Sequence, residues 1–173
     1  MLLSVGHGRL DRVALTDLLR SAGVDALVDI RRYPGSRSNP DVAADAMAEW
    51  LPAAGIAYRT DERLGGRRRL PADAPREDPW WRVEQFAAYA AHTRTAEFQA
   101  ALADLLGQSA RARTAMMCSE SVWWRCHRRL VADVAVLQSR GTVEHLMHDG
   151  RLVAHVPAEG ARVRADGAVV WDG

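Results

Sequence analysis

An alternation of short apolar runs with stretches of helical periodicity constrains this chain more than any other feature. Leu2-Leu3-Ser4-Val5 is a buried-type strand ending at Gly6-His7-Gly8, and Val13, Leu15, Leu18, Leu19 and Ala22 then recur at helical spacing up to Gly23. Ala26 to Ile30 is a second strand, followed by a loop from Arg31 to Ser38. Asn39 is placed to cap, and Pro40 to open, a helix carrying Val42, Met47, Trp50 and Leu51. Ile56 to Arg59 is a weaker third strand. The polar connection at about 61–79, with Gly65-Gly66 and Arg67-Arg68-Arg69, has the length of a functional loop or a mobile segment.

Helical stretches follow from Val83 to Ala91 and from Ala96 to Leu106, the second capped by Thr95. Thr114 to Cys118 is a fourth strand, Leu130, Val131, Val134 and Leu137 mark another helix, and Val143 to Met147 is a fifth strand. In the tail, about 143–173, Asp149-Gly150 and Asp166-Gly167 carry the signature of two-residue hairpin turns. The expected fold is a single α/β domain over residues 1–173 with three layers. It would have a mostly parallel sheet of about four or five strands, helices on both faces and an antiparallel C-terminal hairpin edge.

Composition narrows the classes. At 173 residues, nearly half of them apolar, the chain can bury a substantial core. No apolar run reaches the roughly 18 residues of a membrane span, and no signal-peptide pattern opens the chain. With two cysteines, a reducing cytoplasm is the default location and a structural disulfide is not expected. A net charge of +1 argues against a wholesale nucleic-acid coat, though not against a local basic patch. All 23 basic residues are arginine, which with abundant alanine and a single asparagine reads as GC-rich codon usage. The positions of the arginines therefore matter more than their number.

In open α/β sheets, sites form beyond the C-terminal ends of the strands. Those ends carry His7, Asp29 with Arg31 and Arg32, Asp61, Cys118 with Glu120, and His148. The densest stretch is Cys118-Ser-Glu-Ser-Val-Trp-Trp-Arg-Cys-His-Arg128, where one cysteine closes a strand and the other precedes a helix. Unpaired N–H groups at a helix start bind anions and lower a thiol's pKa, as would Arg125 and Arg128. A competing reading makes Cys118 a small core residue and Cys126 a fit to a tight helix start.

Spacing weakens three sharper assignments. A phosphatase-type loop places five residues between cysteine and arginine, whereas six separate Cys118 from Arg125 and none is glycine. A zinc site wants about four ligands, and Cys118, Cys126 and His127 lack a second pair, with only His7 or His148 available to complete them. No metal is expected. The two cysteines do not form a Cys-x-x-Cys redox motif. Glu120 is placed for general acid or base work, against a salt bridge to Arg125 or Arg31.

Arg31, Arg32 and Arg37 suit bidentate binding of phosphate or carboxylate, although a structural pair with Asp29 is at least as good a reading for Arg32. Arg67, Arg68 and Arg69 resemble a basic arm, the commoner outcome being a solvated loop. Of the pairs Trp80-Trp81 and Trp123-Trp124, at least one member each should close the core or an interface. His145, His148 and His155 are expected at the surface.

Several of these motifs resemble those of the domain of unknown function 488 family. They are Ser-Val-Gly-His-Gly near the start, Leu-Val-Asp-Ile-Arg-Arg-Tyr-Pro-Gly-Ser-Arg at 27–37, Leu-Gly-Gly-Arg at 64–67, Phe86 and Tyr89 with Thr95-Ala-Glu-Phe98, and Met-Cys-Ser-Glu followed by Cys-His-Arg-Arg-Leu-Val-Ala-Asp133. The resemblance implies a single α/β domain. It also implies that His7, Asp29, Arg31, Pro34, Arg37, Gly65, Gly66, Cys118, Glu120, Cys126, His127 and Arg128 occupy motif positions. It supplies no established reaction.

The expected function is an enzyme handling a phosphate-bearing nucleotide or nucleic-acid component. Cys118, Glu120, Cys126 and His127 would do the chemistry, and His7, Arg31, Arg37 and Arg128 would bind the anion. Asp29, Pro34, Gly65 and Gly66 would support them, with no cofactor and no membrane partner. One alternative is a non-catalytic nucleic-acid-binding module using the Arg67–Arg69 arm; another is a Cys/His metal or thiol-redox protein. A protein with no site conflicts with the cost of gathering so many polar groups beside buried strands.

Overall fold

The computed structural model describes residues 1–173. The elements in order are β1 (Leu2–Gly6), α1 (Arg12–Ser21), β2 (Ala26–Asp29), α2 (Ala44–Ala53), β3 (Ala57–Thr60), α3 (Glu84–Thr93), α4 (Ala96–Ser109), β4 (Thr114–Cys118), α5 (Arg128–Ser139), β5 (Val143–Leu146), β6 (Leu152–Ala154), β7 (Ala161–Val163) and β8 (Val169–Trp171). Six strands form one sheet in the order β3-β2-β4-β1-β5-β6. All its pairings are parallel except β5–β6, the antiparallel edge. β1, β2 and β4 are buried along their whole length, which explains their unbroken apolar runs. Edge strand β3 has only partly buried or exposed residues, hence its weaker signal.

Alternate residues of the central strands feed two cores. Leu3, Val5, Leu27, Ala115 and Met117 pack against Leu15 and Leu19 of α1 and Met47 and Leu51 of α2. Leu2, Val28 and Met116 face the other way, onto Tyr89 of α3, Phe98 and Leu105 of α4 and Leu130 and Val134 of α5. The chain is thus a three-layer α/β structure with helices on both faces. No helix is long and apolar enough to cross a membrane.

Thr95 caps α4 as expected, accepting from the Phe98 N–H at 3.2 Å. Asn39 does not cap a helix. Its Nδ2 donates to the Leu10 carbonyl at 2.8 Å, Pro40–Val42 forms only a short 3-10 turn, and α2 begins at Ala44. Both Asp-Gly turns are one residue wider than the two-residue form. At each, the residue three before the glycine accepts that glycine's N–H, and Gly150 and Gly167 take φ of +83° and +84°. That is the type I turn with a left-handed glycine bulge. The second hairpin, β7–β8, also leaves the main sheet and stands as a separate ribbon.

The expected surface placement of His145 and His155 is overturned, since both are buried. His145 stacks flat on Trp123, with ring centroids 4.1 Å apart. Its Nε2 lies 2.9 Å from His155 Nδ1, and His155 Nε2 lies 2.7 Å from Asp133 Oδ1. A hairpin tail reads as exposed, but β5 lies inside the sheet between β1 and β6, and the loop after β4 folds over it through Trp123. His148 alone of the three is exposed.

The sheet order creates the crevice. The chain leaves β1 and β2 toward the α1/α2 face, whereas after β4 it turns to α5 on the opposite face, so a gap opens between their ends. Register fixes what meets there. His7 donates its N–H to the Cys118 carbonyl at 3.0 Å, and Ile30 donates to Met117 at 2.9 Å.

Candidate functional site

Cys118 ends β4, and Cys126 and His127 lead into α5. The segment between them loops outward through a short 3-10 turn, Trp123–Arg125, and returns. Both sulfurs and one ring nitrogen of His127 consequently lie within 4.8 Å of one another. His127 Nδ1 is 3.8 Å from Cys118 Sγ and 3.6 Å from Cys126 Sγ. Its Nε2 lies 3.3 Å from the Ile30 carbonyl. A carbonyl can only accept, so the ring proton belongs on Nε2 and the Nδ1 lone pair faces the sulfurs. Gly66 presses on this ring: a Cβ there would lie 2.8 Å from Nδ1.

Arg128 is a buried strut beneath the thiols. Its guanidinium donates to Cys126 Sγ at 3.5 Å, to Ser4 Oγ at 3.2 Å and to the Glu120 carbonyl. The Glu120 carbonyl passes so close to Gly6 that no side chain fits there. A hydrogen bond to Cys126, reinforced by burial, pushes the Cys118 thiol up to about 12. Burial also pushes Cys126 up, but the hydrogen bond from Cys118 and the charge and N–H groups of Arg128 outweigh it and lower it to about 6. Cys126 is thus the more acidic thiol of the pair.

A second buried unit flanks the thiols. Asp29 takes the Arg31 Nε at 2.8 Å, its Nη2 at 2.5 Å and the Tyr58 hydroxyl at 3.0 Å. Burial works against the Arg31 charge, but the Asp29 carboxylate prevails and raises its pKa. Arg31 Nη1 reaches His7 Nε2 at 3.2 Å, and His7 Nδ1 lies 3.0 Å from the Gly8 carbonyl. Burial and the Arg31 charge lower the His7 pKa, so its ring is neutral and donates through Nδ1. The partner of Asp29 is thus Arg31 and not Arg32, because Arg31 points inward behind the strand end.

These groups form the inner wall of a cavity of about 450 Å³. Its rim carries Arg32, Arg67 and Arg125 against a single carboxylate, Glu120, with Ser36, Ser38 and Ser119 between them. Arg32 Nη1 donates to the Arg67 carbonyl at 3.0 Å, and both guanidiniums lie over the Tyr33 ring, 5.6 and 5.9 Å from its centroid. Gly65 permits this, since a Cβ would lie 2.8 Å from the Arg32 backbone nitrogen. Phe86 and Tyr89 close one side. A larger concavity of about 590 Å³ lies between α1 and α2, but its lining holds no cysteine or histidine.

Of the residues singled out in the sequence, His7, Arg31, Gly66, Cys118, Glu120, Cys126 and His127 line the one cavity. Arg128, Asp29 and Gly65 stand directly behind it. Arg37 is exposed, and neither it nor Pro34 lines the cavity. Asp61 is tied to Arg59 and Arg63, and His148 bonds the Gly6 carbonyl at 2.7 Å, both away from it. The basic arm is divided: Arg67 reaches the rim, while Arg68 turns inward to the Gly65 and Glu62 carbonyls. Trp81 is buried in the core and Trp123 covers His145, which leaves Trp124 exposed. The four anion ligands expected were His7, Arg31, Arg37 and Arg128, although Arg32, Arg67 and Arg125 each stood out in the sequence as cations suited to an anion. Their proximity to the glycine and cysteine motifs was the available signal.

Fold and site together define an open α/β protein whose thiols, imidazoles and guanidiniums gather at one crevice of a parallel sheet. A family model described as Domain of unknown function DUF488 matches residues 10–135, well over half of the chain, and the chain belongs to that family. Comparisons with curated proteins and with solved structures gave no match.

Proposed function

We propose that the chain is an enzyme that takes a phosphate-bearing ligand, a nucleotide or nucleic-acid component, into the crevice. The observation that carries this reading is the rim of Arg32, Arg67 and Arg125 facing only Glu120. Guanidiniums suit the geometry of phosphate oxygens, and each charge-assisted bond contributes about 1.5–3 kcal/mol. Tyr33 and the Arg67 carbonyl hold two of them in place before any ligand arrives, which lowers the ordering cost. Glu120, exposed at the rim, is the group able to exchange protons with a bound ligand and solvent. Arg31 is neutralised by Asp29 and acts on His7 rather than on the anion. The thiols and His127 form the reactive floor.

Thermal-shift and calorimetric titrations with inorganic phosphate, mononucleotides and short oligonucleotides test the reading. The expected result is saturable stabilisation by one phosphate-bearing class, abolished by Arg67→Gln together with Arg125→Gln. Absence of stabilisation by every ligand at low ionic strength overturns it. Affinity confined to oligonucleotides, rising with their length and falling steeply with salt, would replace the enzyme by a nucleic-acid-binding module.

A further inference from the structure

We propose that Cys118, Cys126 and His127 are three ligands of one borderline-soft divalent cation of the Zn(II) class, with a fourth position open to the cavity. The site rests on its own donor set and does not require the phosphate reading. Bonds of about 2.3 Å to sulfur and about 2.05 Å to nitrogen, at tetrahedral angles, place S and N about 3.6 Å apart. The two S···N distances here are 3.6 and 3.8 Å. Two edges of a tetrahedral face are thus already at metal-site length, and the third, between the sulfurs, lies within 4.8 Å, against about 3.8 Å for two tetrahedral metal–sulfur bonds.

The surroundings fit the same role. Metal-bound imidazoles characteristically donate their other N–H to a carbonyl or carboxylate, which fixes tautomer and ring orientation. His127 Nε2 has the Ile30 carbonyl, leaving Nδ1 for the metal. Gly66 packs on the ring and Tyr89 lies 5.0 Å from it, so the imidazole is held on two sides. Arg128 donates to the Cys126 sulfur, offsetting negative charge that two thiolates would bring.

The chain spacing argued against zinc because no second ligand pair exists. That objection applies to a closed structural site; sites that keep an exchangeable position need only three protein ligands. All three donors line the cavity, so the fourth position faces Glu120 and the arginine rim. It would take water or an anionic oxygen.

The full chain, purified without chelators and under anaerobic conditions, is titrated with Zn(II) and Co(II). Expected are one metal per chain by elemental analysis and, with cobalt, thiolate charge-transfer absorption together with intense tetrahedral visible bands. His127→Ala should lower Zn(II) affinity by more than about 100-fold, beyond the cost of outer-shell changes. His148→Asn should leave it unchanged; a comparable loss there would overturn the open fourth position. Two thiols that titrate freely with equimolar Zn(II) present, or a cobalt spectrum lacking thiolate bands, overturn the site. So does quantitative Cys118–Cys126 disulfide formation in protein that never binds metal. The cobalt spectrum of the unsubstituted chain decides the matter even if a variant fails to fold.

Discussion

A methyl group at position 66 would sit 2.8 Å from His127 Nδ1, and Tyr89 packs 5.0 Å from the same ring. Gly66→Ala should therefore displace the imidazole from the sulfurs and cost about 1–3 kcal/mol by overpacking. Urea denaturation reads the stability. Altered reactivity of the two thiols toward a disulfide reagent reads the displacement, which a change in stability alone would not produce. Asp29 makes a sharper case. Removing it leaves the buried Arg31 guanidinium uncompensated, and Asp29→Ala should cost about 3–5 kcal/mol. Asp29→Asn, which can still accept hydrogen bonds, should cost less. At this scale the sequence was informative about which residues converge and less so about their roles. Asp29 and Arg31 stood out as charged groups at a strand end. That they neutralise each other follows from the inward turn of Arg31, which chain spacing does not express.

The loop between β4 and α5 works as an element because both of its ends and its apex are anchored. Trp123, at the apex, lies on His145 of β5, and that ring begins a relay through His155 to Asp133 of α5. Asp133 can only accept when ionised, so His155 donates through Nε2 and accepts at Nδ1 from His145. His145 Nδ1 is then left buried without a partner, as observed. Protonating it would place a charge in the interior facing His155 and Arg128. Burial, followed by those two neighbours, lowers its pKa to about 3 from 6.5. Between those values the unfolded chain binds the proton and the native chain does not, so stability falls as pH drops from about 6.5 toward about 3. Denaturant midpoints at pH 7 and pH 5 should drop further in the unsubstituted protein than in His145→Gln. His7 and His92 are also held low and remain in both proteins, so the difference isolates His145. Equal pH slopes would show that His145 does not titrate as described. Sequence periodicity located β5 correctly but assigned His145 to solvent, because nothing local reveals that β6 pairs on its far side and that a distant loop folds over it.

Strands β1, β2 and β4 were legible along the chain because each is a short apolar run, whereas the order β3-β2-β4-β1-β5-β6 was not, since neighbours in the sheet lie far apart in sequence. The crevice is a product of that order, and so is the extent of the folding unit. The family match covers residues 10–135, yet β1 pairs with both β4 and β5 in the middle of the sheet. The terminal ribbon is similarly integrated. Trp171 of β8 is fully buried in the larger core, where its indole N–H donates to Asp133 Oδ2 at 2.8 Å and its backbone N–H to Asp78 at 3.1 Å. Asp78 in turn holds Arg94 at the end of α3. Trp171→Ala should therefore cost about 3–5 kcal/mol, as for other buried aromatics. Trp171→Phe keeps most of the packing but leaves Asp133 Oδ2 without its donor, at a cost of about 1–3 kcal/mol. Both losses are measurable as shifts in denaturant midpoint. If the ribbon were an appendage, the alanine variant would change stability by less than about 0.5 kcal/mol, as surface substitutions do. A loss of the larger size would place the C-terminal ribbon within the cooperative unit that holds α5, and with it the cysteines and His127, against the sheet.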